Sequence, residues 1–494
     1  MAQHVETLVI GAGPAGLTTA YTLAKAGRGV TVLEMDPVQV GGIARTVDYK
    51  GFKLDIGGHR FSSTSQEVLD LWDELLPGGF IDRPRLSRIY YREQFYAYPL
   101  KAFEALRQLG LWTAAQCLAS FGLARARPVR DPTTFHQWVR NRFGEKLFSI
   151  FFKTYTEKVW GMSCDEIAAD GTSQRLKGLD LGASIIEGVR RSLGGERANP
   201  AKAKPVETFR YPRQGPGMVW EACADRILAL GGQVRLGRKV DGLHYDRLAG
   251  VWTVSVTRAD GGSEIYTADD VVSSAPLREL MSAISPAPIS LFHAGELMYR
   301  DFVTVALIGK TRQSIPDNWI YVHDLSVKVG RVQNYGAWSP EMIPDGVSSC
   351  LGLEYFCFEG DGLWTSDDAD LIALAKREVA RIGLMEPGDV HDAHVVRQPK
   401  AYPVHDEAYA EHLKMIRLDL KMHFPGLHLV GRNGLHRYNN QDHAMMTGIL
   451  TAENIMAGET VHDVWSVGED ASYDGTVSRR IVSSERAVPR RVAA

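Results

Sequence analysis

The residue types best suited to chemistry come early, in Gly11-Ala12-Gly13-Pro14-Ala15-Gly16 and in Glu34. Glycines at this spacing let a backbone turn tightly and approach a pyrophosphate, and they let the next helix pack closely on the strand before it. That helix would aim its N-terminal N–H groups at the anion. A carboxylate about 20 residues further on can accept hydrogen bonds from a ribose diol. A loop that merely needs glycines would look the same, so the motif has meaning only inside a strand, turn, helix, strand and acid unit. Downstream, Asp55-Ile56-Gly57-Gly58-His59-Arg60-Phe61 sets paired glycines before a histidine. This suits backbone passing close to a flat group, and equally an ordinary glycine turn with a capping histidine. Phe151-Phe152-Lys153-Thr154-Tyr155-Thr156-Glu157-Lys158-Val159-Trp160-Gly161, with Arg175 and Lys177 after it, puts rings beside cations. Such a run is either core packing or a platform for a nucleotide base and its phosphates. The amide-rich loop 433–443 stands before a helix and can offer backbone N–H groups to an anion or carbonyl. His391 and His394 have no further ligands at suitable spacing, so no metal is expected.

These groups need elements to hold them. Leu8-Val9-Ile10 reads as a buried strand, 17–25 as a helix and 30–33 as a second strand that delivers Glu34. Residues 65–76 read as an amphipathic helix capped by Ser65, and 85–99 as an aromatic hairpin. Residues 100–126 turn helical and apolar, which fits a core helix pair or, in a second reading, contact with a membrane surface. One helix is expected over about 134–155, an exposed loop over 192–205, and a helix over 219–230. Strands follow at 234–236, 252–256 and 271–274. Apolar alternation at 302–308, 319–322 and 348–355 predicts a mostly antiparallel sheet, and 427–432 a strand and turn before a helix over 444–456. Beyond Gly458 the periodicity fades into a basic tail.

Bulk properties narrow the class. The 494 residues allow two or three domains. With 45% apolar and 23% charged residues and a net charge of -3, the composition excludes a disordered chain and a generic nucleic-acid surface. Cys117, Cys164, Cys223, Cys350 and Cys357 lack zinc or redox spacing and read as free buried thiols. The chain enters its first strand without a signal-like segment, and no apolar run reaches spanning length. A cytoplasmic enzyme with a small-molecule substrate is expected, and a homo-oligomer is left open.

To about Gly458 the chain resembles the UDP-galactopyranose mutases, and more loosely the protoporphyrinogen-oxidase and amine-oxidase flavoproteins. Gly41-Gly42 with Arg45 is similar to the second phosphate-side signature of the amine-oxidase type, which selects FAD. Gly57 to Phe61 is similar to the mutase loop that runs against the flavin, and Tyr155 to Gly161 to the uridine and sugar stretch. The implied fold is α/β. A Rossmann-like FAD-binding domain of the amine-oxidase type would come from 1–65, 206–280 and 425–458. A mainly helical cap over 66–205, an antiparallel-sheet substrate domain over 281–424 and a tail over 459–494 would complete it.

The resemblance implies FAD contacts at Gly11, Gly13, Pro14, Ala15, Gly16 and Glu34, then at Gly41, Gly42, Arg45, Gly58 and His59. Val240, Gly431, Arg432, Asp442 and Met445 would complete the cofactor site. For a nucleotide sugar it implies Tyr155 stacked on the base, Phe152 and Thr156 lining the pocket, and Trp160 near the sugar. Arg175 and Arg331 would hold the diphosphate, with Tyr355, Tyr402 and Tyr438 on mutase-like motifs. Two stretches depart from the family: His436 replaces a tyrosine, and Asn440-Gln441-Asp442-His443 replaces an Asp-Met-Asp-Gln element, with His436 and Asn440 falling among the implied substrate contacts. The implied activity is pyranose–furanose isomerisation by way of an adduct at N5 of reduced FAD. The rivals are an FAD oxidase or dehydrogenase, favoured by Asn440, and a flavin-free carrier like the GDP-dissociation inhibitors, disfavoured by the intact glycines, Glu34 and Arg45.

Overall fold

The computed structural model describes residues 2–98, 108–169, 208–312 and 314–468. Leu8 and Val9 are both fully buried yet point to opposite sides of strand Gln3–Ile10, so this strand has to lie in the middle of a sheet covered on two faces. It pairs in parallel with Val30–Leu33 on one side and with Ser263–Ser273 on the other. Gln233–Arg235 extends the sheet beyond Val30–Leu33. Ser263–Ser273 also takes Leu427–Leu429 in parallel and Val251–Arg258 antiparallel, and Arg238–Asp246 and Ile284–Ser285 form the far edge. Thus strands far apart in sequence share one sheet.

Helices Pro14–Lys25, Gly217–Ala229 and Gln441–Ala457 cover one face, joined by Gln66–Leu75, whose N-cap Ser65 accepts the Val68 N–H. Their apolar sides meet Val9, Trp72, Trp220 and Ile449. The other face buries Leu8, Trp252, Tyr266 and Leu280 beneath helix Tyr409–His423.

A second sheet runs Met385–Pro403, Tyr299–Thr311, Ser349–Cys357, Arg331–Asn334, Trp319–Val322, Ser87–Tyr91, Gln94–Ala97. Every pairing is antiparallel except that of Trp319–Val322 with Ser87–Tyr91. The aromatic hairpin therefore completes this sheet, so region 66–205 is not only helical. Helix Asp368–Ile382 packs on one face of the sheet, and the site described below lies on the other.

The single helix expected over 134–155 is broken. Phe135–Phe143 stops at Gly144, whose φ is +80° and where a Cβ would stand 2.7 Å from the Phe121 backbone nitrogen. Close passage of helix Leu111–Ala126 thus sets the break. Beyond Glu145–Leu147 the chain widens into a π-helical turn over Phe148–Lys153 and resumes as Thr154–Trp160. All five cysteines are free and buried. The loop expected over 192–205, and Arg175 with Lys177, lie outside the described residues.

Candidate active site

Two glycine turns cross at backbone distance. Gly41 N–H donates to Ala12 O at 2.7 Å, and a Cβ on Gly42 would stand 3.2 Å from Gly13 Cα. Side chains at Gly11 and Gly16 would collide with Ser274 Oγ and with Gly11 O, respectively. Helix Pro14–Lys25 begins there with no side chain capping it and no acid in its first turn. Its free N–H groups are aimed into the gap, and Pro14 at the start forfeits only a donor that would have been unpaired. Buried Glu34 accepts Ala12 N–H at 2.7 Å and Asp36 N–H at 2.9 Å, and burial pushes its carboxyl up. Arg238 N–H donates to Glu34 O at 2.7 Å, which brings Val240 alongside, just before a bulge. Arg45 donates to Gly42 O and to Gln398 Oε1, both at 2.9 Å.

The last helix closes the cradle. Gly431, with φ +74°, lies where a Cβ would be 2.8 Å from Ala15 Cβ, and its N–H donates to Thr447 Oγ1 at 3.0 Å. Met445 sits in the helical core, and burial raises the Asp442 carboxyl. A narrow gap between glycine backbones, facing an uncapped helix N-terminus with a carboxylate at the strand end, fits a pyrophosphate-linked dinucleotide.

Beyond the cradle the chain builds an aromatic chamber. His59 Nε2 lies 2.6 Å from Ile56 O, and burial, helped by the charges of Arg432 and Arg331, pushes the imidazole down to about 4. It is neutral at pH 7. The flat group against Gly58 is the Trp319 indole, which a Cβ there would meet at 2.7 Å. Tyr402 and Tyr438 stack with centroids 5.6 Å apart and planes 8° apart, and Trp160 meets them edge-on at 6.3 and 6.4 Å. The Arg432 guanidinium lies 4.8 Å from the Tyr438 ring and 5.3 Å from Tyr402, held by Asn439 O at 2.9 Å and Ala401 O at 3.0 Å.

Arg331 is placed otherwise than the resemblance implied. It is buried, with Nε on Glu354 Oε2 at 2.6 Å and Nη2 on Tyr402 Oη at 2.8 Å, and Gln333 donates to the same carboxylate at 2.6 Å. A guanidinium spent on a buried carboxylate is not open to grip a diphosphate. Tyr355 is a second correction. Glu354 and Phe356 face the chamber, so by strand alternation Tyr355 points the other way, into the core under Asp368–Ile382. His436 is a third, since its ring is sealed against Tyr299 with Nε2 3.2 Å from Val404 O, and burial pushes it down to about 3. Asn440 is exposed and forms a capping box with His443 at the start of Gln441–Ala457, which is a structural task.

Tyr155 stacks on His323 at 4.8 Å and 9° and meets Tyr321 edge-on at 5.4 Å, while Phe152 stacks on Phe143 and Thr156 is buried. Sequence reasoning missed Trp319, Gln398, His323 and Glu354. A signal existed for Glu354, the one charge in an otherwise apolar strand, because a carboxylate there needs a buried cation.

The pattern of the flavin containing amine oxidoreductases matches residues 14–456. Curated relatives match shorter stretches: putrescine oxidase of Kocuria rosea is 47% identical over 70 residues, 14% of this chain and 14% of that protein. The probable UDP-galactopyranose mutase of Klebsiella pneumoniae is 25% identical over 177 residues, 33% of this chain and 42% of that protein. The chain therefore matches less than half the length of either. Among solved structures, reduced UDP-galactopyranose mutase superposes with a TM-score of 0.79 at 22% identity, covering 96% of this chain and 99% of that one. Putrescine oxidase bound to putrescine superposes at 0.59 with 17% identity, covering 92% and 100%. At these identities the superpositions show a shared fold. The sequence match, in contrast, runs from the helix of the glycine turn through both sheets to the closing helix, and the chain belongs to the flavin containing amine oxidoreductase family, with FAD as its cofactor.

Proposed function

We propose that this flavoenzyme acts on a nucleotide-linked sugar and changes its ring form without net oxidation. The observation that carries the reading is the chamber itself: the Tyr402–Tyr438 pair, Trp160 and the Arg432 guanidinium converge beside His59 and the dinucleotide cradle. Flat rings suit the apolar face of a pyranose, and a fixed cation suits a phosphate.

The gap at Gly13 and Gly42 and the N-terminus of Pro14–Lys25 would hold the pyrophosphate of the cofactor, and Glu34 its ribose. The chemistry supplied by bound reduced FAD is an electron pair lent to the anomeric carbon and returned within each cycle. Around it the protein has three tasks. Trp160 and the tyrosine pair orient the sugar, which lowers the barrier by fixing the reacting geometry. Arg432 and Tyr438 stabilise negative charge that grows on the departing diphosphate. Neutral His59 keeps a second positive charge away from that region, and the buried rings of Phe302 and Phe356 exclude water. Arg331 acts through Tyr402, whose hydroxyl it holds.

The test is one of electron accounting. Purified enzyme is reduced once with dithionite under anaerobic conditions and given excess UDP-sugar. The expected result is many turnovers to an isomerised sugar while the flavin stays reduced. Stoichiometric bleaching of oxidised enzyme by the nucleotide sugar, with peroxide released in air and no isomer from reduced enzyme, overturns the proposal in favour of hydride removal.

A further inference from the structure

Helix Leu111–Ala126 buries only its small Cys117 and Ala124 and leaves its large apolar side chains open. A surface helix turns its polar residues to water, as Asp368–Ile382 does with Asp368, Asp370 and Arg377. In Leu111–Ala126 the polar residues Thr113, Gln116 and Ser120 are half-buried, as are Ala114 and Phe121, and Ser120 Oγ accepts the Lys146 N–H at 3.0 Å. Its solvent side shows Leu111 at 93% exposure, Trp112 at 76%, Leu118 at 45% and Leu123 at 58%, with alanines and Gly122 between them. Arg125, in the last turn, is the one charged side chain on the exposed side of the helix. At 16 residues the helix is about 24 Å long, and none of the helices among the described residues is long and apolar enough to cross a membrane. A face of this size, apolar and open to water, marks an interaction site.

Charge decides what covers it. Helix Leu111–Ala126 contains no acid, and exposed Arg125, Arg127 and Arg130 lie at its C-terminal end, with exposed Arg142 on the neighbouring helix Phe135–Phe143, outnumbering exposed Asp131 and Glu145 there. We propose that this face docks on the surface of an anionic lipid bilayer, with the helix lying in the plane of the interface, its leucines and Trp112 among the acyl chains and its arginines at the headgroups. Face to face, a second copy of the chain would set an acid-free helix and its arginines against the same helix and the same arginines. The docking concerns where the enzyme works and holds whatever its substrate is.

The experiment is co-sedimentation of the full-length, FAD-loaded chain with phosphatidylcholine vesicles, with and without about one third phosphatidylglycerol. Binding is expected on the anionic vesicles alone, falling several-fold between about 0.1 M and about 0.5 M salt. Leu118→Asp with Leu123→Asp lowers binding by at least about tenfold, and Arg127→Gln with Arg130→Gln weakens it and flattens its salt dependence. All four side chains are exposed, so flavin absorbance per chain stays at the wild-type level and reports intact folding. Three results would overturn the proposal: wild type left in the supernatant with anionic vesicles, leucine variants that pellet as wild type does, or a dimer that these variants split while no vesicle is bound.

Discussion

Neutralising Glu354 tests whether the chamber is held together from beneath. Glu354 has no exposure, its partner Arg331 is 5% exposed at the side chain, and the carboxylate is met by Arg331 and Gln333 at 2.6 Å each. Burial pushes this carboxyl up and Arg331 opposes that, while the carboxylate holds Arg331 protonated well above its ordinary range. Glu354→Gln keeps the shape and strands a guanidinium in the interior, a loss of about 3–5 kcal/mol. The cost comes from the orphaned charge rather than from the pair, so Arg331→Met with Glu354→Gln, which leaves Gln333 an acceptor, should unfold within about 1–2 kcal/mol of wild type. Urea unfolding of the FAD-loaded protein, read as midpoints across the four-member cycle, measures both quantities. A Glu354→Gln loss under about 1 kcal/mol, or a double variant equal to the sum of the singles, would refute the argument, because either outcome means Arg331 is solvated or paired elsewhere.

Three further outcomes are expected. Gly13→Val fills the gap next to Gly42 and leaves purified protein colourless, checked by flavin absorbance per chain; yellow variant protein would show that the pyrophosphate lies elsewhere. Tyr155→Ala weakens uridine diphosphate binding by about 1–3 kcal/mol in calorimetry with flavin content unchanged, whereas equal binding would return Tyr155 to core packing against His323. Burial pushes His59 down to about 4, and His323 and His436 down to about 3, all below the ordinary 6.5. The unfolded chain therefore binds more protons across that window, so stability present above pH 6.5 is lost as pH falls, by up to about 1.4 kcal/mol per histidine per pH unit. Replacing His323 with Phe should remove about one proton from that slope, and a urea-midpoint profile that keeps its wild-type slope would contradict it.

What the sequence determined by itself is local. The glycine turn, the strand that delivers Glu34 and the cap at Ser65 follow from spacings within a few residues, because turn and helix chemistry act over that range. The apolar run 30–33 became a strand with the bounds it had in the sequence, since four buried residues between glycines and an acid admit little else. The mixed α/β architecture was also legible, through alternation in one region and strand and helix periods in another.

Tertiary structure decided where the long-range partners fall. Residues 87–97 joined the second sheet although their sequence marks only a hairpin, because pairing with Trp319–Val322 depends on a strand more than 200 residues away. Tyr355 and Glu354 are neighbours in sequence and lie on opposite faces, and only the packing of Asp368–Ile382 shows which face is core. Arg331 looked like a ligand for phosphate until the fold placed Glu354 on the adjacent strand, and Gly144 broke a helix because another helix crosses there. Apolar periodicity at 111–126 likewise shows a helix without saying which side meets water. That depends on what else the chain brings up against it, and here Cys117 and Ala124, with half-buried Thr113, Gln116 and Ser120, face the protein while the large apolar side chains face water.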